Sequence, residues 1–468
     1  MATLSVKPTS PISPHQTPPS IGKFPLGILS EYQRDPLKLY LRAMLEYRDL
    51  VRMRFGPSYS YVVFHPDYVQ HILVDNRKNF QRNKLRNGLF KVVTGENLFT
   101  SDGDFWLRQR RLLQPAFHRQ RIFGFGQLIT DSTAQMLAAW DQYPTGALLD
   151  VDQEMMRITL RVVGLALFST DLTANSSEIG NVITKSSAYF TYRLTHLLAP
   201  PLWAPTPRNR EFKRLQASVA QRVPELIALR KHLIAEQGNA ETTGRAYDMI
   251  DLLLNTRYED TGEAMDDQQM GREIRIFIGA GHETTSNTLS WTLYLLSQHR
   301  EVEAKLQAEV DHVLTGRTPT MEDIPQLPYM HKVLEESMRL YPAAWAISRQ
   351  SINEDQLGPY HLPADMGVIL PIYAVHHHPD FWENPEQFDP ERFAPERAAQ
   401  QHRFAYFPFG GGPRQCIGST FAMTEAHLIL AMIVQRYKLR LRPGYKVEPM
   451  PLITLRIKGG LPMTLERR

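Results

Sequence analysis

The chain has very little cysteine: Cys416 is the single cysteine among 468 residues. One thiol excludes a disulfide within the chain, and it excludes zinc or iron–sulfur sites that need several cysteine ligands. A lone cysteine is compatible with three roles, namely a buried apolar side chain, a nucleophile or a single metal ligand. The residues around Cys416 therefore have to decide which role applies.

Long apolar runs are also missing, because no stretch approaches the roughly 18 residues that a membrane-spanning helix needs. The first 20 residues have no apolar signal core and are rich in Pro, Ser and Thr, so we expect residues 1–22 to form a flexible leader. These absences predict a soluble, cytoplasmic protein.

Neither sign of charge is in large excess, since 53 basic and 49 acidic side chains leave a formal net charge of +4. So small a value gives no support for nucleic-acid binding. No internal repeat or long linker divides the sequence. We therefore predict a single domain over residues 23–468, and we expect a monomer.

Helical patterns dominate what is present. From Gln268 to Gln298 apolar residues lie almost all round one very long helix, which predicts that this helix runs through the core. Further helices are predicted at 66–74, 105–113, 131–235 (interrupted by prolines near 200–207), 331–340 and 419–437, and short strands at 59–64, 367–372 and 453–457. The fold class is mainly α with small β-sheets.

Cys416 follows a glycine-rich segment, FAYFPFGGGPRQCIGSTF, at residues 404–421. Three glycines and a proline before the cysteine predict a tight, irregular backbone, and a helix is predicted directly after it. A thiolate at that place gains from the helix N-terminus and from nearby backbone N–H groups.

The same segment carries a family signature. The segment matches the pattern F-x-x-G-x-R-x-C-x-G at Phe409, Gly412, Arg414, Cys416 and Gly418. Ala422 fits the extension of the pattern. The segment thereby resembles the haem-binding signature of the cytochrome P450 superfamily. The fold that this resemblance implies is a triangular, single-domain helical prism with a long central helix over the haem.

The resemblance implies that Cys416 is the axial thiolate ligand of the iron of haem b. Arg414 would pair with a haem propionate, and Phe409 would pack near the sulfur and limit the access of water. The other positions at which the resemblance implies cofactor contact are Gly410, Gly418, Ala422, Trp106, Arg110, Arg349, Ala280 and Gly281.

A second motif, AGHETT at residues 280–285, lies in the middle of the long predicted helix and resembles the oxygen-groove motif of the same family. Phe277, Ala280, Gly281 and Thr284 share one helix face by their spacing. Small residues at 280 and 281 would let a planar cofactor approach the backbone. The resemblance implies that Thr284 and Glu283 are the catalytic pair that delivers protons during O2 activation.

Three further segments, WLRQR, EESMR and PERF, occur in the family's order, and the resemblance covers about residues 25–468. The spacing of Glu336 and Arg339 predicts an ion pair within one helix. With Arg392 they resemble the family's Glu-Arg-Arg structural triad. The adjacent Glu335 is expected to face solvent.

The implied reaction inserts one oxygen atom from O2 into a hydrophobic substrate such as a fatty acid, terpenoid, carotenoid or steroid. Electrons are expected from NAD(P)H through a separate ferredoxin, flavodoxin or flavoprotein reductase. Two alternatives stay open: a peroxide-using haem-thiolate enzyme, and a haem-dependent protein that binds hydrophobic ligands. The residues expected to line the substrate pocket are Leu89, Phe90, Phe277, Ala344, Trp345, Ala346, Ile347 and Ile453.

Overall fold

The computed structural model describes residues 16–23, 26–173, 176–196, 198–237 and 248–468. Residues 1–15 of the predicted leader lie outside this described part. Ser20 and Ile21, which the sequence places in that leader, form a short strand paired in parallel with Arg52 and Met53. The folded domain accordingly begins earlier than the predicted boundary at residue 23.

Helices dominate the described chain, as the sequence predicts. They are α1 Leu29–Arg34, α2 Pro36–Tyr47, α3 Pro66–Gln70, α4 Lys84–Thr94, α5 Gly103–Leu113, α6 Arg119–Gly124, α7 Gly126–Trp140, α8 Val151–Phe168, α9 Ser176–Thr195, α10 Pro207–Gln237, α11 Met249–Asn255, α12 Asp267–Gln298, α13 Arg300–Leu314, α14 Pro328–Leu340, α15 Ile372–Val375, α16 Pro395–Ala398 and α17 Ser419–Arg436.

Strands form a few small sheets around these helices. They are β1 Ser20–Ile21, β2 Leu50–Phe55, β3 Ser58–Val63, β4 Phe80–Gln81, β5 Leu148–Asp150, β6 Ile347–Ser351, β7 Asp355–Leu357, β8 Tyr360–Leu362, β9 Gly367–Leu370, β10 Tyr437–Leu441, β11 Pro449–Pro451, β12 Leu455–Ile457 and β13 Pro462–Arg467. The largest sheet has the order β1-β2-β3-β9-β6-β4, and the others are β10-β13-β5, β11-β12 and β7-β8.

The long helix α12 lies at the centre of the core. Its 32 residues span about 48 Å at 1.5 Å per residue. The side chain of Asp266 caps its first turn by accepting from the N–H of Gln269 at 2.7 Å. Near its other end the hydroxyl of Ser290 donates to Asp152 on α8 at 3.1 Å. Helix α12 therefore provides a buried, fixed axis for the residues at its middle.

Prolines set several helix ends where the sequence predicts them. Helix α14 has Pro328 in its first turn and ends at Leu340, two residues before Pro342. The strand predicted at 453–457 is shorter in the structure. It is β12, which begins at Leu455 and leaves Ile453 in a loop. Among the described residues, no helix has both the length and the apolar character needed to cross a membrane.

Candidate active site

The segment before α17 is a tight loop closed by its own backbone. The N–H of Cys416 donates to the carbonyl oxygen of Phe409 at 2.9 Å, and the N–H of Gln415 donates to that of Gly412 at 3.0 Å. Gly418 stands at the N-cap of α17, with Ala422 in its first turn. The loop therefore presents Cys416 at the start of a long buried helix.

Gly412 shows why this loop needs glycine. Its φ is +66°, a backbone conformation that other residues rarely adopt. A Cβ atom at this position would also lie 2.0 Å from the carbonyl oxygen of Leu73. Any side chain would thus push the cysteine loop away from the segment that contains Leu73.

The Cys416 side chain has exposed surface although it lies deep within the fold. Burial raises the pKa of its thiol, and this rise is opposed by a hydrogen bond from the N–H of Gly418 and by the nearby charge of Arg110. Arg110, which the resemblance assigns to a propionate, donates here to the carbonyl oxygen of Gln415 at 3.1 Å.

Three guanidinium groups, those of Arg82, Arg349 and Arg414, gather around Asp102, and we call them the arginine cluster. Arg414 pairs with Asp102 at 2.5 Å and lies 4.3 Å above the ring of Trp106. Burial and the charge of Arg414 lower the pKa of Arg349 to about 10. Burial, followed by the charges of Arg349 and Arg414, lowers the pKa of Arg82 as well.

The arginine cluster fits a group with two carboxylates. Among the described residues, Asp102 is the acid that offsets its three positive charges, so two positive charges are in excess. The buried Nε atom of Arg82 has no hydrogen-bond partner in the described part of the chain. Buried guanidinium groups without partners are costly, and a dianion such as the two propionates of haem would stabilise them. Sequence reasoning missed Arg82, since no motif surrounds it.

The middle of α12 borders an open space. Ala280 is exposed although most of the helix beyond residue 281 is buried. The hydroxyl of Thr284 donates to the carbonyl oxygen of Ala280 at 2.7 Å. Ala280 and Thr284 therefore share the face that the sequence predicts.

Gly281 and Phe277, which the sequence predicts on the same face, contact other parts of the protein instead. A Cβ atom on Gly281 would come within 3.0 Å of Val163, so this glycine allows close packing against α8. The ring of Phe277 lies 5.5 Å from that of Phe117 within the hydrophobic core. The expectation that Gly281 makes room for a cofactor is thus corrected, because its open side is filled by α8.

The carboxyl group of Glu283 points towards the hairpin of β11 and β12, which we call the C-terminal hairpin. It is 4% exposed, accepts from the hydroxyl of Thr454 at 2.8 Å and lies 3.9 Å from the guanidinium of Arg456. Burial raises the pKa of Glu283, and Arg456 and Thr454 oppose this rise. Arg456 also donates to the hydroxyl of Thr184 on α9. Sequence reasoning did not find Thr454 and Arg456, because they lie about 170 residues from Glu283.

The fold thus holds a thiol with exposed surface before α17, a basic cluster around Asp102 and an acid–alcohol pair on the central helix. The sequence also matches the Cytochrome P450 family over residues 18–460. The chain belongs to the cytochrome P450 family. Its fold, mainly helical with small sheets, is the cytochrome P450 fold.

Relatives agree with this assignment. The chain is 35% identical to the cyclooctat-9-en-7-ol 5-monooxygenase of Streptomyces melanosporofaciens, over 99% of both chains. It is 36% identical to the cyclooctatin synthase of the same organism, over 93% of this chain and 92% of that one. The crystal structure of the cytochrome P450DA heme domain matches with a TM-score of 0.87 at 26% identity, covering 97% of this chain and 99% of that chain. The protein is therefore a haem-thiolate monooxygenase, and its family implies haem and O2.

A cavity of about 1380 Å³ lies along α12 in this cytochrome P450. The predicted pocket residues that line it are Phe90, Ala344, Trp345, Ala346, Ile347 and Ile453. Four residues predicted for catalysis or cofactor contact also line it: Ala280, Glu283, Thr284 and Arg349. Leu89 and Phe277 do not line this cavity, which corrects two expectations. Phe277 is packed into the core, and Leu89 precedes Phe90 on α4, where successive side chains point in different directions.

The structure brings Glu336, Arg339 and Arg392 together, as the resemblance implies. Arg339 donates to the two carboxylate oxygens of Glu336 at 2.6 and 2.8 Å, and Arg392 donates to it at 3.2 Å. The guanidinium groups also donate to backbone carbonyls, including those of His376 and Asn384. A buried carboxylate with this many donors fixes the chain segments that meet there.

Other polar residues near the motifs have structural contacts. The Nε2 atom of His376 accepts from the N–H of Phe407 at 3.0 Å, and His377 contacts the carbonyl oxygen of Tyr373 at 2.7 Å. Burial lowers the pKa of His282 to about 4, so this side chain is neutral at pH 7. Glu335, expected in solvent, is only 24% exposed, and burial raises its pKa to about 7.

Proposed function

We propose that this cytochrome P450 hydroxylates a large apolar substrate in the cavity along α12, with electrons from NAD(P)H delivered by a separate redox protein. The cavity of about 1380 Å³ carries this proposal, because its aliphatic and aromatic wall continues to Ala280 and Thr284 on the central helix. Apolar walls of this kind favour hydrophobic ligands over polar ones.

Haem b supplies iron-centred activation of O2 when it is bound. In our proposal the thiolate of Cys416 would bind its iron, and the arginine cluster would hold its propionates. Trp106 supports Arg414 by stacking beneath its guanidinium group. Arg110 and the N–H of Gly418 would stabilise the thiolate over the thiol, because both lower the pKa of Cys416.

We further propose that Glu283 and Thr284 carry protons into the cavity. The carboxyl group of Glu283 accepts from the hydroxyl of Thr454, the hydroxyl of Thr284 bonds within α12, and all three residues line the cavity. A raised pKa lets Glu283 hold a proton nearer neutral pH than an exposed glutamate does. Release from Thr454 would allow it to pass that proton towards the Thr284 hydroxyl.

The substrate class that we propose is a bulky terpenoid-like or long-chain compound. The relative that is 35% identical is named for action on cyclooctat-9-en-7-ol, which is an unsaturated alcohol by its name. Phe90, Phe190 and Trp345 in the cavity wall suit the flat faces of ring systems and the sides of chains.

The electron donor in our proposal is a ferredoxin or a flavodoxin-type protein. Cys416 is the single cysteine of the chain, and an iron–sulfur cluster needs several thiolates, so the cluster would belong to a partner. The partner would approach from the side of the cysteine loop, where Arg403 is exposed.

The test begins with the purified, haem-loaded protein. After reduction and addition of carbon monoxide we expect the strongly red-shifted Soret band of a thiolate complex, and we expect Cys416→Ser to lose it. A library of terpenoids, steroids and fatty acids is then titrated by the change in haem spin state. Hits should be hydroxylated with O2, NAD(P)H and a surrogate redox pair. Turnover with peroxide alone would instead favour a peroxide-using enzyme.

A further inference from the structure

Arg275 lies in the cavity wall, and among the described residues no acid forms an ion pair with it. It lies on α12 and lines the cavity. Its Nε atom is buried and has no hydrogen-bond partner, and no ion pair joins this side chain to any acid in the described residues. Burial and the charge of Arg272 lower the pKa of Arg275. An anionic group on a ligand would give this half-buried guanidinium group the partner that its described neighbours do not supply.

The acids of the cavity wall are already engaged with other groups. Asp35 pairs with Lys38 at 3.5 Å, Glu211 pairs with Lys185 at 2.5 Å, and Glu448 pairs with Lys458 at 2.8 Å. Glu283 accepts from Thr454. The wall therefore offers Arg275 no free carboxylate among its described residues, and an anion would have to come with a ligand.

The distance from Arg275 to Thr284 along α12 limits the shape of a ligand that contacts both residues. Thr284 lies nine positions further along the same helix, which corresponds to about 13 Å along the helix axis. Both residues border the same cavity. A ligand that contacts both must therefore be elongated, with an apolar body between its two ends.

We propose that Arg275 binds the carboxylate of the substrate and directs the apolar body of the molecule towards Thr284. The planar guanidinium group suits a carboxylate, which can accept two parallel hydrogen bonds from it. This assignment rests on the proposed function of the cavity as the substrate site. It narrows the substrate class to amphipathic acids whose oxidised carbon lies far from the carboxylate.

The test uses three matched probes: tetradecanoic acid, tetradecan-1-ol and methyl tetradecanoate. Each is titrated into the haem-loaded protein, with the spin-state change and calorimetric heat as independent measures of binding. The acid should bind more tightly than the two neutral probes. In Arg275→Gln the ratio of acid to alcohol affinity should fall about tenfold, because a hydrogen bond to a charged group is lost. Arg275→Lys should retain part of the preference.

Arg272 provides the control, since it lies one turn earlier on α12 and donates to Gln268 and Gln269 instead of lining the cavity. Arg272→Gln should leave the acid preference unchanged. Equal affinities for acid and alcohol that Arg275→Gln does not alter would overturn the carboxylate assignment and leave the apolar substrate site intact. No binding of any of the three probes would overturn both.

Discussion

Glu283 and Thr284 are adjacent in sequence, yet their side chains bond to different parts of the molecule. The carboxyl group of Glu283 is tied to Thr454 and lies near Arg456, whereas the hydroxyl of Thr284 bonds within α12. Proton transfer between them thus requires Glu283 to leave the C-terminal hairpin. Arg456 is a positioning residue in this view, because it acts through Glu283.

Replacement of Arg456 by Gln should shift the pH profile of product formation. Arg456 lowers the pKa of Glu283, so its loss should raise that pKa further. The protonated form of Glu283 then persists to higher pH, and the limb on which activity falls with rising pH should move up by about one unit. Arg456→Lys should restore the original limb, and a limb that stays in place in Arg456→Gln would speak against this coupling.

Thr284→Ala should separate electron use from product formation. The variant lacks the hydroxyl but not the thiolate loop, so the spectrum of the reduced carbon monoxide complex should be unchanged. We expect several-fold more hydrogen peroxide per NAD(P)H, because general acid catalysis at the cavity face is lost. Thr292→Ala is the matched control, since Thr292 makes the same type of bond to Thr288, at 2.7 Å, two turns further along. Equal coupling in both variants would contradict the role of Thr284.

At the scale of elements, α12 also holds the segment that leads into α5. Glu273 is fully buried and accepts from the N–H of Leu98 at 3.0 Å and from Gln269 at 2.8 Å. Asp102, the acid beside the arginine cluster, follows four residues after Leu98. One carboxyl group therefore connects the central helix to the segment that supports the basic cluster.

Glu273→Gln should alter how stability depends on pH. Burial raises the pKa of Glu273 to about 7, above the value of 4.5 expected in the unfolded chain. The folded state thus binds the proton more tightly, so this stabilisation is complete below pH 4.5 and is lost as the pH rises through 7. Relative to the wild type, the variant should gain up to about 3 kcal/mol between pH 5 and pH 8. Urea unfolding at both pH values measures this difference, and a constant difference would refute it.

The sequence predicts elements and motifs well when their signals are local. The glycine-rich loop, the length of α12 and the end of α14 before Pro342 all depend on neighbouring residues, and the structure shows each of them. Partners from distant segments have no such signal. Arg82 and Arg456 reach the site only through the folding of sheets and hairpins, and Gly281 was misread because Val163 on α8 decides what its surface meets.

At the scale of the whole molecule, a net charge of +4 is small, and docking therefore depends on where the charges lie. Arg108 and Arg111 on α5 are already paired, with Asp260 at 3.3 Å and with Glu259 at 3.6 Å. Arg403 is exposed and lies 5.7 Å above the ring of Phe404. It borders a small pocket of about 240 Å³ that Phe409 and Gly410 also line. Arg403 is thus the better candidate for contact with an acidic redox partner.

Arg403→Glu should slow reduction by a ferredoxin or flavodoxin several-fold at low salt, because charge reversal weakens electrostatic steering. The difference from the wild type should shrink as ionic strength rises, since salt screens exposed charges. Stopped-flow formation of the carbon monoxide complex measures the rate, and reduction by dithionite should be equal in both proteins. Arg42→Glu is the control, because Arg42 is also exposed but pairs with Glu31 on a different surface helix. Equal salt dependence in Arg403→Glu and the wild type would place the docking surface elsewhere.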